Sequence, residues 1–177
     1  HFIVGNPPFL GYTQQSAEQK ADMERVFTAQ GYASYGVLDY VSAWYIKAFG
    51  MMQRNPAIQT AFVSTNSITQ GEQVGVLWGW MLAQGIKIQF AHRTFQWSND
   101  AKGVAAVHCV IIGFGPQEVP VKTIYVYPDI TAGPVPLVAK NIGLRLRPFD
   151  VNSRFGIQLE SLDQFKGIAA AVREHLP

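Results

Sequence analysis

Apolar and polar positions along this chain switch repeatedly between strand-like runs and helical spacing, which outlines alternating β and α layers. Phe2-Ile3-Val4-Gly5 reads as the end of a buried strand, stopped by Pro7-Pro8, which can neither donate to a ladder nor continue it. Ser16-Ala17-Glu18-Gln19 fits a capping box, so a helix runs from there to about Gln30 and ends at Gly31. Asp39 opens a second helix, whose Val41, Trp44, Tyr45, Ala48, Phe49 and Met52 recur at spacings of three and four and make one apolar face. At that spacing the Trp44, Tyr45 and Phe49 stripe is a core face rather than a stacking surface. Ile58 to Thr65 is a buried strand. Gln73 to Gln84 is an apolar helix weakened at Gly75 and Gly79 and ended by Gly85. Ile86 to His92 is the next strand, and Arg93 to Gly103 a loop carrying Phe95 and Trp97 among polar residues. Val104 to Phe114 is the longest β-branched run, followed by a strand near Val121 to Tyr127.

The order strand, helix, helix, strand, helix and three strands predicts a mostly parallel sheet with a late antiparallel edge. Beyond Pro128 the pattern breaks at Pro134, Pro136 and Pro148, and Lys140, Arg145, Arg147 and Arg154 face only Asp150. This stretch reads as a linker or the entry to another region, so the expected division is 1–127 and 128–177. Ser161-Leu162-Asp163-Gln164 is a second capping-box candidate, opening a last helix to about His175. His1 followed at once by a full-strength apolar run reads as a piece beginning inside or just before a strand. A processed start or a short edge strand is the competing reading.

Composition narrows the classes. The chain has 177 residues, 48% of them hydrophobic, enough for a sizeable core. Only 15% are charged, against roughly 25% in an average soluble domain, so some apolar surface is expected to meet a partner. Fourteen Lys and Arg against twelve Asp and Glu leave a charge of +2, too weak to mark a nucleic-acid binder by itself. No apolar run reaches the roughly eighteen residues of a membrane span, and the opening lacks the basic and apolar regions of a signal peptide. A cytoplasmic protein is the expectation, with no membrane partner. Cys109 is the only cysteine, which excludes a disulfide framework.

Chemistry-bearing motifs are few. A GxSxG elbow is missing, which argues against an α/β-hydrolase. His108 and Cys109, adjacent on a strand, point to opposite faces and cannot share a metal, so no metal site is expected. Gly113-Phe114-Gly115 lacks a third glycine and is followed by Pro116 and Pro120, which disqualifies it as a nucleotide loop.

The positive signal is Asn6-Pro7-Pro8-Phe9 at the carboxyl end of a strand, where ligands of open α/β sheets bind. An amine conjugated to an aromatic ring is a poor nucleophile because its lone pair is delocalised. An Asn carboxamide oxygen and a backbone carbonyl can each accept one of its N–H bonds and draw the nitrogen toward tetrahedral geometry. Pro7 and Pro8 fix the backbone that aims the carbonyl, and Phe9 offers a flat face for a base. The competing reading is a proline-rich turn with Asn6 as turn residue and Phe9 in the core.

Asn6-Pro7-Pro8-Phe9 after Phe2-Ile3-Val4-Gly5 resembles motif IV of the amino-group methyltransferases that use S-adenosylmethionine, especially the adenine-N6 DNA methyltransferases. DYVSAWYIKA from Asp39, FVSTNSI from Phe62, FQWS from Phe95 and GVAAVHCVIIGF from Gly103 resemble consecutive segments of the MmeI-like type IIG restriction-modification enzymes. Those enzymes fuse endonuclease, methyltransferase and target recognition in one polypeptide, and the resemblance covers about residues 1–127. It implies an α/β fold: a partial class I (Rossmann-like) S-adenosylmethionine-dependent methyltransferase sheet with helices on both faces, lacking its first strands. It further implies transfer of methyl to adenine N6 in duplex DNA, with Asn6 and the Pro7 carbonyl on the amine and Phe9 stacked on the flipped base. Phe95, with Trp97 as the alternative, would contact the base from the other side, unless the two plug a loop. Asn66 and Ser67 would line the cleft. The glycine-rich loop of the family precedes its motif IV and has no counterpart here. The expectations are therefore an inactive piece, partnered by the rest of its polypeptide and prone to self-association at its exposed sheet edge. The alternatives are a methyltransferase of RNA or protein glutamine, and a non-catalytic DNA-binding or assembly module.

Overall fold

The computed structural model describes residues 1–97, 107–128, 133–140, 142–143 and 158–159. Strand β1 is Phe2–Gly5, helix α1 Ala17–Thr28, helix α2 Ser42–Arg54 and strand β2 Gln59–Thr65. Residues 71–83 form a helical segment, α3. Strands β3 (Lys87–Trp97), β4 (Val107–Gly115), β5 (Lys122–Val126) and β6 (Val135–Ala139) follow, and β7 (Ile142–Gly143) pairs with β8 (Gln158–Leu159) in a small second sheet.

The local signals that set these elements are visible in the bonding. The α1 capping box forms as expected, with the Gln19 amide donating to Ser16 Oγ and the Ser16 amide donating to Gln19 Oε1 at 2.9 Å. Gly31 (φ 69°) and Gly85 (φ 88°) take the left-handed conformation just past α1 and α3. The α2 helix starts at Ser42 rather than Asp39, because the Asp39 carbonyl accepts both the Ser42 amide and the Ser42 hydroxyl and closes a turn instead. Between Gly75 and Gly79 the α3 segment widens into a π turn, Val74–Trp78, in which the Gly79 amide reaches back five residues to the Val74 carbonyl. The Tyr32 hydroxyl donates to the Val76 carbonyl inside that turn, at 2.7 Å.

The six-stranded sheet has the order β1-β2-β4-β3-β5-β6. β1 runs parallel to β2, and β3 parallel to β5, while β4 is antiparallel to both β2 and β3. The sheet is α/β but mixed: it ends in a reversed edge strand, β6, and a second reversed strand, β4, sits in the interior. β6 pairs antiparallel with β5, so the sheet continues past residue 128, where the proline-rich composition suggested a linker. The second capping-box candidate, the expected helix to His175, and Arg145, Arg147 and Arg154 lie outside the described residues.

One face of the sheet carries Phe62, Ser64, Val110, Ile112 and Phe114, all buried. Tyr45 of α2 reaches into it, its ring centroid 5.3 Å from Phe62, 5.1 Å from Phe114 and 5.4 Å from Trp78 of α3. Its hydroxyl meets Ser64 Oγ at 2.7 Å, and burial raises its pKa. The Trp78 indole donates to the Ile68 carbonyl at 3.1 Å. Among the described residues, α2 and α3 both bear on this face. On the other, β1 exposes Phe2 (78%) and Val4 (75%), so it is an open edge strand rather than the buried one expected.

On that second face Phe90 lies directly opposite Gly113 across the β3–β4 ladder. A Cβ at Gly113 would sit 2.0 Å from Phe90 Cε1, so the ring covers the glycine as an aromatic cross-strand partner does. Gly113→Ala is therefore expected to destabilise by about 1–3 kcal/mol through overpacking, and Phe90→Leu in the same chain to recover much of that. Chemical denaturation measures both, and a neutral Gly113→Ala would contradict the packing.

Candidate functional site

Because β4 is reversed between β2 and β3, strands β1, β2 and β3 all run the same way and their carboxyl ends leave the sheet along one edge. Asn6–Phe9, Asn66, Phe95 and Trp97 lie along that edge. Asn6 follows β1 directly and is exposed; Pro7 is buried, Pro8 exposed, and Phe9 half-buried with its ring against the hydrophobic core. Asn66 follows β2, is half-buried, and opens a single 3-10 turn, Asn66–Thr69, in which the Thr69 hydroxyl donates to its carbonyl at 2.7 Å.

Phe95 and Trp97 are strand residues, not loop residues. The ladder to β4 carries β3 through to Trp97, with a register shift between His92 and Phe95. Phe95 is paired with Cys109, which is itself opposite Thr65, so Phe95 stands level with the end of β2. Three inter-strand spacings, about 14 Å, separate the β1 and β3 backbones. The fold thus brings Asn6–Phe9 and Asn66 to neighbouring strand ends and keeps Phe95 and Trp97 across the edge from them. Among the described residues Gly113 and Gly115 belong to β4, with Phe90 over Gly113, and no strand ends in a glycine-rich turn that opens a helix. His108 is exposed and Cys109 buried on β4, in keeping with their opposite facing. No helix among the described residues is long and apolar enough to cross a membrane.

Two features went unread in the sequence. The first is Asp39, only 6% exposed, whose carboxylate accepts the Tyr12 amide at 3.2 Å and the Ser67 hydroxyl. Its signal, an acidic residue before an apolar helical face, was read as a helix start. The second is an aromatic group beside Phe95: its ring lies 5.2 Å from Tyr127, and the His92 ring stacks on Tyr125 at 4.3 Å. His92 Nδ1 and the Tyr127 hydroxyl are 2.7 Å apart. Burial holds the imidazole below its ordinary pKa and pushes the Tyr127 hydroxyl up, and the imidazole tautomer sets which of the two donates.

That depressed value makes a pH prediction. As pH falls through about 6.5 the unfolded chain takes up a proton at His92 while the folded ring resists, so the unfolded state binds more protons and stability declines toward the lower folded value. Thermal unfolding followed from about pH 7 to pH 5 should show this decline, and His92→Gln should flatten it. Equal slopes in the two proteins would remove His92 as the cause.

Comparison with known proteins places these residues in a family. Residues 1–126 match the family described as "MmeI, DNA-methyltransferase domain". Over 132 residues the chain is 46% identical to DNA methyltransferase A of Bacillus subtilis (strain 168), covering 73% of this chain and 14% of that protein. It is 57% identical to the solved Type IIL restriction-modification enzyme MmeI in complex with DNA, with a TM-score of 0.74 over 80% of this chain and 19% of that one. The chain thus spans about a seventh to a fifth of the length of these relatives. The edge that gathers Asn6–Phe9, Asn66 and Phe95 is part of a methyltransferase sheet, and the chain belongs to the MmeI DNA-methyltransferase domain family.

Proposed function

We propose that this chain carries the target-base side of a methyltransferase active site, and that the polypeptide it serves transfers methyl from S-adenosylmethionine to adenine N6 in duplex DNA. The observation that carries the reading is the placement of Asn6-Pro7-Pro8-Phe9. The segment leaves the carboxyl end of β1, where Gly5 is still paired with Phe62, and is held again at its far end by the Tyr40 amide donating to the Leu10 carbonyl at 2.9 Å. Four residues fixed at both ends can present two acceptors and a ring in one arrangement.

In this reading the Asn6 carboxamide oxygen and the Pro7 carbonyl each accept one N–H of the exocyclic amine. The nitrogen lone pair leaves conjugation and becomes available for attack. Pro7 and Pro8 hold φ near about −65°, which limits where the Pro7 carbonyl can point. Phe9 rests one side of its ring on the core and offers the other to the base, a contact worth roughly 1–3 kcal/mol. Phe95, with Trp97 as the alternative, contacts the base from across the edge, and Asn66 lines the cleft. A base reaches this place only by leaving the duplex, at a cost of about a few kcal/mol. S-adenosylmethionine would supply the electrophilic methyl carbon; a glycine-rich turn to grip it is not among the described residues. A part in restriction-modification, protecting a host's own sites, follows from the likeness to MmeI. The stretch 128–177, whose strand β6 still belongs to this sheet, then leads into a target-recognition region, and the isolated chain is inactive.

Labelled S-adenosylmethionine, duplex DNA and the full-length polypeptide containing these residues test the proposal. Label is expected in N6-methyladenine, and Asn6→Ala is expected to lower the rate about a hundredfold or more, as loss of a positioned hydrogen-bonding group does. Label found only in RNA or in protein glutamine would overturn the substrate, and an Asn6→Ala variant at wild-type rate would overturn the site.

A further inference from the structure

The motif itself holds neither end of its own loop; other residues do. Asp39 sits where four chain segments meet. Its carboxylate accepts the Tyr12 amide at 3.2 Å and the Ser67 hydroxyl, its amide donates to Gln73 Oε1 at 3.2 Å, and its carbonyl accepts the Ser42 amide at 3.0 Å. Its two neighbours in sequence add to the grip. The Tyr40 amide donates to the Leu10 carbonyl, and the Leu38 carbonyl accepts Gln15 Nε2 at 3.0 Å. Residues 10–15, which follow Phe9 immediately, are therefore bound to the Leu38–Tyr40 turn at three points.

Ser67 ties that turn to the sheet. A hydroxyl has one proton to give, so Ser67 gives its proton to Asp39, and the Thr65 hydroxyl, 2.8 Å from Ser67 Oγ, gives its own to Ser67. Thr65 is the last residue of β2, and Asn66 lies between Thr65 and Ser67 in sequence. The route from the β2 end to Phe9 thus runs Thr65, Ser67, Asp39, Tyr12, with Asp39 buried and each link a side-chain hydrogen bond.

We infer that Asp39 and Ser67 are positioning residues for the reaction: together they set where Phe9 and the Pro7 carbonyl stand relative to the end of β2. The inference rests on the function proposed above. Neither residue touches the base. They hold the loop whose residues do, and a displacement of about 1 Å in a reacting arrangement can cost a hundredfold in rate. A carboxylate suits the junction because it accepts from two directions at once. Asn keeps that ability in altered form, since its oxygen can accept from Tyr12 while its amide donates to Ser67 Oγ.

The test uses the full-length polypeptide, duplex DNA and single-turnover methylation, with Asn6→Ala as reference. Asp39→Ala is expected to lower the rate constant about a hundredfold and Ser67→Ala about tenfold, with DNA affinity and the donor KM within about threefold of wild type. Asp39→Asn is expected to return most of the rate. Ser67→Ala added to Asp39→Ala should cost nothing further, because both cut one link. If Asp39→Ala does not fold, Ser67→Ala and Asp39→Asn still decide. With 2-aminopurine at the target position, both loss variants should change the fluorescence lifetime of the bound base, which a role in stability alone would not do. Rates at wild-type level in both variants, or losses that follow only the unfolding midpoint, overturn the positioning role while leaving the proposed function in place. No methylation by wild type under conditions where it binds DNA and donor overturns the proposed function, and this inference with it.

Discussion

The fold turns on one side chain, Tyr45. It comes from α2, enters the sheet between Phe62 and Phe114, and meets Trp78 of α3 on its other side. Its hydroxyl carries a polar group into the core, where Ser64 is there to pair with it. A phenylalanine would fill the same space but leave Ser64 unmatched, and an unmatched buried hydroxyl costs about 1–3 kcal/mol. One residue thus sets both the distance of α2 from the sheet and its rotation about its own axis. The turn at Leu38–Tyr40 is the lead-in to that helix, so the position of the helix fixes the position of the turn.

From that turn outward the arrangement is polar. The core brings α2 and the sheet together without direction, since apolar burial scales with area and not with angle. Direction comes from the hydrogen bonds of Asp39, Tyr40, Gln15 and Ser67, which connect the two loops after β1 and β2. The division of labour suits an edge that must present Asn6 to solvent and yet hold it still. A loop of this kind needs its backbone tied, because exposed loops otherwise move.

Much of this could be read from the chain, and the limit follows sequence separation. The capping box of α1 joins Ser16 to Gln19, the apolar face of α2 repeats within thirteen residues, and the Asn6–Phe9 motif is four residues long. Each is local, and each was legible. The Asp39 junction spans 27 residues to Tyr12 and 28 to Ser67, and no periodicity announces it. The second half of β3 was hidden for a related reason. Arg93-Thr94-Phe95-Gln96-Trp97 has no continuous apolar run, and only its pairing with β4 makes it a strand. The interior place of β4 was likewise a matter of pairing partners, since a β-branched run says that a strand is buried but not between which neighbours. That Asn6 and Phe9 follow the carboxyl end of β1 was legible, because a strand that ends in proline can be located without knowing the rest of the sheet.

The π turn in α3 has a consequence of a different kind. A residue added to or taken from residues 71–77 would rotate everything beyond it by about 100°. Trp78 would then swing off Tyr45 and Phe114, its indole would lose the Ile68 carbonyl, and Met81 would turn out of the core. Substitutions at Gly75, Val76 or Gly79 leave that phase intact. In this segment the count of residues is constrained more tightly than their identity, so related chains should differ here by replacement and not by insertion or loss.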